Sequence, residues 1–300
     1  MNNLKKNKTT LIRNNIQCNL CNGNKAKSIY TYSYNDRNSE ILKCYDCGHL
    51  YLYPIPLIEL DERKMETVSG AEFYGNKLLK TIHEKVVIKR EIRNAKKFLK
   101  SNNPTLLDIG CGTGWTTEIW RNNGFNVTGL EPSSARSNIA SGTYNINIVN
   151  QYLENFQTDT KFDVIILRHL LEHIEDPSAM LKKIQSFLKP EGLLIIIIPN
   201  IDSIGRYIFG ENWAWILPWH LHFYTPRTLT MLVEKMGYKK MKCYQMPSPL
   251  WYPKSLGRLL KKEWRIPSFL NLVLFSPIIL LGVILNLNDN ITLISKNISK

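Results

Sequence analysis

From residue 104 onward, short apolar runs alternate with amphipathic stretches. The runs at Thr105–Ile109, Asn126–Leu130, Ile146–Val149, Asp163–Leu167 and Leu193–Ile198 are largely unbroken, as strands covered on both faces require. Helical patterns fall between most of them, around residues 115–123, 133–141 and 178–189. This alternation predicts an α/β fold, a doubly wound sheet with helices on both faces. Thr225–Met236 reads as a helix with Thr225 as N-cap and Pro226 at its first position, and a strand follows near Tyr238–Gln245. A last strand is expected at Ile291–Ser295, beyond an apolar insertion at 266–287.

Upstream the pattern changes. Residues 1–14 are a basic, polar tail without the apolar core of a secretory signal. Residues 15–57 are turn-rich and tyrosine-rich. Residues 58–103 read as a helical linker or lid, ending in a helix whose apolar positions are Ile82, Val86, Ala95, Phe98 and Leu99. Between Lys77 and Lys100 that helix carries nine Lys and Arg against Glu84 and Glu91, either a solvated face or a docking face for an anion. Residues 104–300 form the main domain. With 44% hydrophobic and 21% charged residues, collagen-like, mucin-like and disordered classes are excluded. Thirty-nine Lys and Arg against 25 Asp and Glu leave a net charge of +14, which favours polyanionic partners without choosing among nucleic acid, phosphorylated substrates and a membrane surface.

Four of the six cysteines form two pairs, Cys18-x-x-Cys21 and Cys44-x-x-Cys47. Two such pairs point to thiolate metal binding in a reducing, cytoplasmic setting more than to disulfides. Four thiolates close a tetrahedral Zn²⁺ site, so a structural zinc ribbon is expected, with Gly23 and Gly48 in the knuckle turns; an iron–sulfur centre or an accidental grouping are the other readings. Cys111 and Cys243 stand alone, as packing residues do.

The richest segment, Leu106-Leu-Asp-Ile-Gly-Cys-Gly-Thr-Gly-Trp115, runs from a buried strand through three glycines into a helix. Such a loop lets a ligand approach backbone amides at a helix start. Glu131 ends the next strand 21 residues after Gly110, where a carboxylate can accept from both hydroxyls of a ribose. A dinucleotide fingerprint would place its third glycine where Trp115 stands, and a Trp there would crowd helix against strand. Asp108-Ile-Gly-Cys-Gly-Thr-Gly114 resembles the first motif of class I S-adenosylmethionine (SAM) methyltransferases. The resemblance extends through Glu131, Phe162-Asp-Val-Ile-Ile-Leu167, Leu171-Glu-His-Ile-Glu-Asp-Pro177, Leu188-Lys-Pro-Glu-Gly-Leu193 and His220-Leu-His-Phe-Tyr-Thr225, covering roughly residues 104–245. It implies a seven-stranded Rossmann-like sheet and SAM as cofactor, with Gly110, Gly112 and Gly114 beside its methionine part, Glu131 on the ribose, and Asp108 supporting the loop or the cofactor ammonium. Cys111, within the loop, and Arg168, after the fourth strand, complete the expected cofactor set. Asn150-Gln151 stands where the family often has an acid near the adenine. Cys44-Tyr-Asp-Cys-Gly-His-Leu-Tyr-Leu-Tyr-Pro54 resembles the N-terminal ribbon of many bacterial methyltransferases of sugar and surface-glycan pathways.

His169-Leu-Leu-Glu-His173 matches the H-x-x-E-H pattern of inverted zinc proteases, but it follows directly on a strand rather than lying within a long helix. Methyl transfer to a hydroxyl needs an aligned acceptor and a proton acceptor, for which imidazole is well matched. His173 and His222 are the leading candidates, followed by His169 and His220; each also fits a packing role. Trp213, Trp215, Trp219 and Tyr224 would wall an acceptor pocket or belong to the core.

Phe269–Leu287 is apolar apart from Asn271, Ser276 and Asn286, and follows Lys261, Lys262 and Arg265. A single crossing there would put the last strand on the wrong side of a membrane. A bent helical hairpin is expected instead, packed on the domain, forming a homo-oligomer surface, or touching the inner face of a membrane peripherally. The leading expectation is therefore a SAM-dependent methyltransferase acting on a sugar, glycan precursor or lipid-linked small molecule, by O- or C-transfer. An RNA methyltransferase is an alternative suited to the charge, although Leu167-Arg-His-Leu-Leu-Glu172 lacks an Asn/Asp-Pro-Pro-aromatic motif. A non-catalytic ribbon that keeps a SAM-binding fold is another.

Overall fold

The computed structural model describes residues 3–6, 11–34, 37–55, 77–262 and 268–298; residues 58–76 of the expected 58–103 linker and Arg265 lie outside them. Five strands come first: β1 (Asn3–Lys6), β2 (Ile12–Asn14), β3 (Lys25–Tyr34), β4 (Arg37–Cys44) and β5 (Leu50–Tyr53). Helices α1 (Lys77–His83) and α2 (Lys89–Lys96) follow, joined by a π turn at Glu84–Ile88. The α/β unit then runs β6 (Thr105–Ile109), α3 (Trp115–Arg121), β7 (Asn126–Leu130), α4 (Ser134–Tyr144), β8 (Asn147–Val149), β9 (Phe162–Arg168), α5 (Pro177–Phe187) and β10 (Leu188–Pro199). After it come α6 (Ile204–Phe209), β11 (His222–Phe223), α7 (Pro226–Lys235), β12 (Tyr238–Met246), α8 (Tyr252–Leu260), α9 (Ser268–Leu274), α10 (Ser276–Ile284) and β13 (Asn290–Asn297).

The seven-stranded sheet has the order β12-β13-β10-β9-β6-β7-β8. Strands β8, β7, β6, β9 and β10 are parallel, and β13 inserts antiparallel between β10 and β12. Strand period two divides the core. Leu107, Ile165 and Leu194 face one side with Leu181 and Ile184 of α5 and Leu229 of α7. Their neighbours Leu106, Val164 and Ile195 face the other, against Ile88, Ile92 and Ala95 and against Ile119 and Trp120 of α3. Side-chain caps fix where helices begin: Asp176 accepts from Ala179 N before α5, and Thr225 and Thr228 form a capping box before α7.

The sequence pattern misplaces one helix face. Ile82 and Val86 are exposed, while Ile88, Glu91, Ile92 and Ala95 are buried. The five-residue π turn advances the chain by more than an α-turn and rotates the apolar stripe, which a 3.6-residue period cannot anticipate.

The N-terminal strands form a second sheet, β1-β3-β4-β5-β11, with β2 beside β3. Its last strand belongs to the α/β unit: His222 pairs with Tyr51 and Phe223 with Leu50. Cys18, Leu20, Cys44 and Cys47 share one buried cluster with Leu171, Tyr224 and Leu229. The cysteine module is therefore packed and hydrogen-bonded onto the loop that follows β10.

Helices α9 and α10 are joined through Phe275 alone, with helical bonds from Phe275 N to Asn271 O and from Ile279 N to Phe275 O, so the segment is a bent helix and not the expected hairpin; its outer residues are strongly exposed, with Val273 at 69%, Leu280 at 61% and Ile284 at 68%. Its base is seated where Gly282 meets Ile204, with no room for a Cβ. Among the described residues, no helix is long and apolar enough to cross a membrane.

Candidate active site

The carboxyl ends of β6, β7 and β9 meet at one edge, where doubly wound sheets bind ligands. Gly110, Gly112 and Gly114 all have positive φ (72°, 57° and 78°). Their surroundings differ. A Cβ on Gly114 would stand 2.8 Å from Ala140 Cβ, so this glycine serves packing between α3 and α4; a Cβ on Gly112 would meet nothing within 4 Å. Gly112 is thus the point where a ligand can reach the backbone. Its N–H donates to Glu131 Oε2 (2.9 Å) and Ser133 N–H donates to Oε1 (3.0 Å), which orients a carboxylate that keeps further lone pairs for hydroxyl donors.

Asp108 is buried, accepts from Thr117 Oγ1 at 2.6 Å, and is pushed up to about 6, chiefly by burial and against the Thr117 bond and the Arg168 charge. It ties the loop to α3. Cys111 is a packing thiol: burial raises it, and its Sγ lies 2.7 Å from where a Gly129 Cβ would stand. Asn150 donates to the carbonyls of Glu131 (2.8 Å) and Pro132 (2.9 Å), which engages it with its own loop. Arg168 does lie at the end of β9, but its guanidinium grips Glu91 of α2 with both Nη atoms, Nη1 at 3.3 Å from Oε1. Glu91 is fully buried, so this pair fastens α2 over the cofactor edge. Trp115 sits under the preceding helix, with His83 at 5.7 Å between ring centroids and Lys80 Nζ 5.1 Å above its ring.

Beyond β9 the chain turns sharply. His169 has a positive φ of 50°, and Leu171–His173 is a single 3₁₀ turn, not the helix a protease motif needs. His169 stacks on Trp215 (centroids 5.0 Å apart) and brings Nδ1 to 3.5 Å from Glu172 Oε1. His173 Nδ1 donates to Trp219 O (2.9 Å), and its Nε2 lies 3.9 Å from the same Glu172 oxygen. His220 packs edge-on against His173. Burial raises the Glu172 carboxyl, but His169, His173 and His220 outweigh it and bring it down to about 2. Burial takes His220 down to about 3, with the His173 charge acting in the same direction.

His222 is elsewhere. It is 3% exposed, its Nδ1 lies 3.1 Å from His49 Nε2, and burial lowers both imidazoles, His222 to about 4. It sits at the junction with the cysteine sheet, where it lines a cavity with Tyr51, Tyr53 and Leu221 and is apart from the His169–His173 cluster. Of the four aromatics, Trp213, Trp215 and Tyr224 are core, and Trp215 touches the histidine cluster. The residues that sequence reasoning missed are the partners: Glu91, Thr117, His49 and the buried Glu172. Only Glu172 was signalled, by lying inside H-x-x-E-H.

The four paired cysteines converge. Cys21 and Cys44 Sγ are 3.5 Å apart, Cys18 and Cys47 Sγ 3.7 Å, and all are free thiols. The left-handed residues in the two knuckles are Asn22 and Gly48; Gly23 instead lies against the Asp46 side chain, which a larger residue would displace.

A family model described as a methyltransferase domain matches residues 82–242. A ubiquinone biosynthesis O-methyltransferase from Bradyrhizobium sp. (strain ORS 278) is 32% identical over 153 residues, 46% of this chain and 59% of that protein, so the chain spans about three-fifths of that relative's length. Among solved structures, the plantazolicin methyltransferase BpumL in complex with S-adenosylhomocysteine (SAH) superposes with a TM-score of 0.53 at 18% identity, covering 80% of this chain and 91% of that one. The [4+2]-cyclase SpnF superposes at 0.50 with 16% identity, covering 71% and 82%. With more than half of its length matched by the family model, the chain belongs to the methyltransferase-domain family and has the α/β fold of class I SAM-dependent methyltransferases.

Proposed function

We propose that this protein transfers a methyl group from SAM to a hydroxyl of a small acceptor: a sugar, a glycan precursor or a lipid-linked molecule. The observation that carries the reading is the open backbone at Gly112, hydrogen-bonded to Glu131 at the carboxyl edge of the sheet. Bound SAM would supply an electrophilic methyl carbon. Gly110, Gly112 and Gly114 would admit its methionine part, Glu131 would accept from the ribose hydroxyls, and Asp108 would hold the loop through Thr117. Arg168 would act indirectly, by keeping α2 in place through Glu91. His169 is the group suited to accept the hydroxyl proton: Glu172 faces its Nδ1, which leaves Nε2 as the basic nitrogen. The relative named an O-methyltransferase of ubiquinone biosynthesis supports oxygen as the acceptor atom.

The four cysteines fit a structural zinc ion, since a tetrahedron of Zn–S bonds of about 2.3 Å has S···S edges of about 3.8 Å and the two measured edges are 3.5 and 3.7 Å. The bent α9–α10 segment, with exposed Leu259 and Leu260 at the end of α8, suits peripheral contact with a bilayer, and Lys261 and Lys262 favour an anionic one. The deciding experiment incubates purified protein with methyl-labelled SAM and panels of sugar nucleotides, lipid-linked sugars, phenols and RNA. Label in a small hydroxyl acceptor supports the reading. Label in RNA favours the nucleic-acid alternative, and bound SAH without any transfer favours a non-catalytic module or another reaction on the same fold.

A further inference from the structure

We propose that Glu172, His173 and His220 form a second metal site, separate from the cysteines, holding a divalent transition-metal ion beside the acceptor pocket. The three donor atoms lie within 4.8 Å of one another. Glu172 is 1% exposed and neither of its carboxylate oxygens has a hydrogen-bond partner, a costly state for a buried carboxylate. Among the imidazoles around it, His169 brings only a long Nδ1 contact of 3.5 Å to Oε1, and a neutral His173 brings no proton. A backbone carbonyl can only accept, so the contact to Trp219 O fixes the proton of His173 on Nδ1. Its Nε2 then carries a lone pair 3.9 Å from Glu172 Oε1. A lone pair and a carboxylate brought together out of water call for a cation between them.

The surroundings match a metal ligand set. An imidazole whose far N–H is anchored on a backbone carbonyl is the usual outer-shell arrangement of a metal-binding histidine. His220 is buried and meets His173 edge-on, with ring centroids 4.8 Å apart. Two imidazoles and one carboxylate suit Zn²⁺, Fe²⁺, Co²⁺ or Mn²⁺ better than Mg²⁺, and three protein ligands leave coordination positions for water or an acceptor oxygen. The His173 side chain is 29% exposed, which provides a way in. His169 flanks the same carboxylate oxygen and keeps a nitrogen for proton transfer. The H-x-x-E-H motif thus contributes two ligands from its second half, and the third comes from 47 residues downstream. Only the ion's role toward the acceptor, presenting a hydroxyl oxygen, rests on the function proposed above; binding of the ion does not.

The test uses the full chain and metal alone. Protein is purified with its cysteine site loaded with zinc, then titrated with Co²⁺ and followed by visible absorption and by metal analysis. We expect one further equivalent of Co²⁺ per chain with nitrogen–oxygen ligand-field bands and no thiolate charge-transfer band. Glu172→Gln and, independently, the half-exposed His173→Gln should each lose that equivalent while zinc stays at one per chain. Should Glu172→Gln fail to fold, His173→Gln alone decides. Uptake unchanged in a folded variant, a thiolate spectrum, or no second equivalent in the parent protein would overturn the proposal, the last indicating that a proton joins His173 and Glu172. SAH binding is measured on the same samples; its loss in the parent protein would count against the methyltransferase reading and leave the metal count untouched.

Discussion

Gly112 and Gly114 are two residues apart, share a left-handed backbone, and should respond oppositely to alanine. The left-handed conformation costs an L-residue about 1–2 kcal/mol. At Gly112 that is the whole stability cost, because the new methyl meets nothing within 4 Å. At Gly114 the methyl stands 2.8 Å from Ala140 Cβ and 3.3 Å from Ile146 Cδ1, which adds overpacking of about 1–3 kcal/mol. Gly114→Ala should therefore lose roughly 2–5 kcal/mol in urea unfolding and Gly112→Ala roughly 1–2. Cofactor binding should follow the reverse order among folded protein, since the Gly112 methyl occupies the space through which SAM approaches the backbone. Isothermal titration with SAH should show at least about a tenfold loss for Gly112→Ala, equivalent to about 1.4 kcal/mol. Wild-type SAH affinity in Gly112→Ala, or a larger stability loss there than in Gly114→Ala, would refute this assignment of the two glycines.

Other outcomes follow from the same geometry. Arg168→Met strands the fully buried Glu91 and should cost about 3–5 kcal/mol, while the double change Glu91→Met with Arg168→Met should recover much of it; a cycle with no coupling energy would show that the pair does not fasten α2. Cys47→Ser should remove zinc from the protein by metal analysis and loosen the His49–His222 junction, read as a lower melting temperature and faster hydrogen exchange at residues 221–224; retained zinc would contradict the four-thiolate site. Buried Asp289, raised to about 6 chiefly by burial, binds its proton more tightly folded than unfolded. Its contribution is full below the unfolded value and fades as pH rises through about 6, so the stability advantage of wild type over Asp289→Asn should shrink by about 1 kcal/mol between pH 5 and 7.5; a pH-independent difference would contradict it. Leu280→Glu with Ile284→Glu should abolish flotation with vesicles containing anionic lipid, and unchanged flotation would place the membrane contact elsewhere.

The α/β unit was readable because its signals are local. Buried strands such as Asp163–Leu167 are apolar runs bounded by turn residues, and Thr225-Pro226 is a helix start by its own chemistry. The glycine loop and Glu131 were equally visible, since backbone conformation and a strand-end acid leave fixed spacings. What could not be read was pairing across the sequence. Nothing near His222 announces His49, 173 residues away, and so its place at the junction could not be read. Nothing near Arg168 announces Glu91 in a helix whose charged face read as solvated or anion-docking. The π turn hid that burial by rotating the face of α2. The cysteines told of their own cluster but not of the β5–β11 pairing that joins it to the α/β unit.

The most direct test of the account is native mass spectrometry of the full chain with SAM and NAD present together, repeated with Glu131→Ala. The account predicts a SAM or SAH adduct on the parent protein, none from NAD, and a weakened adduct in the variant. An NAD adduct, or SAM binding indifferent to Glu131, would contradict it.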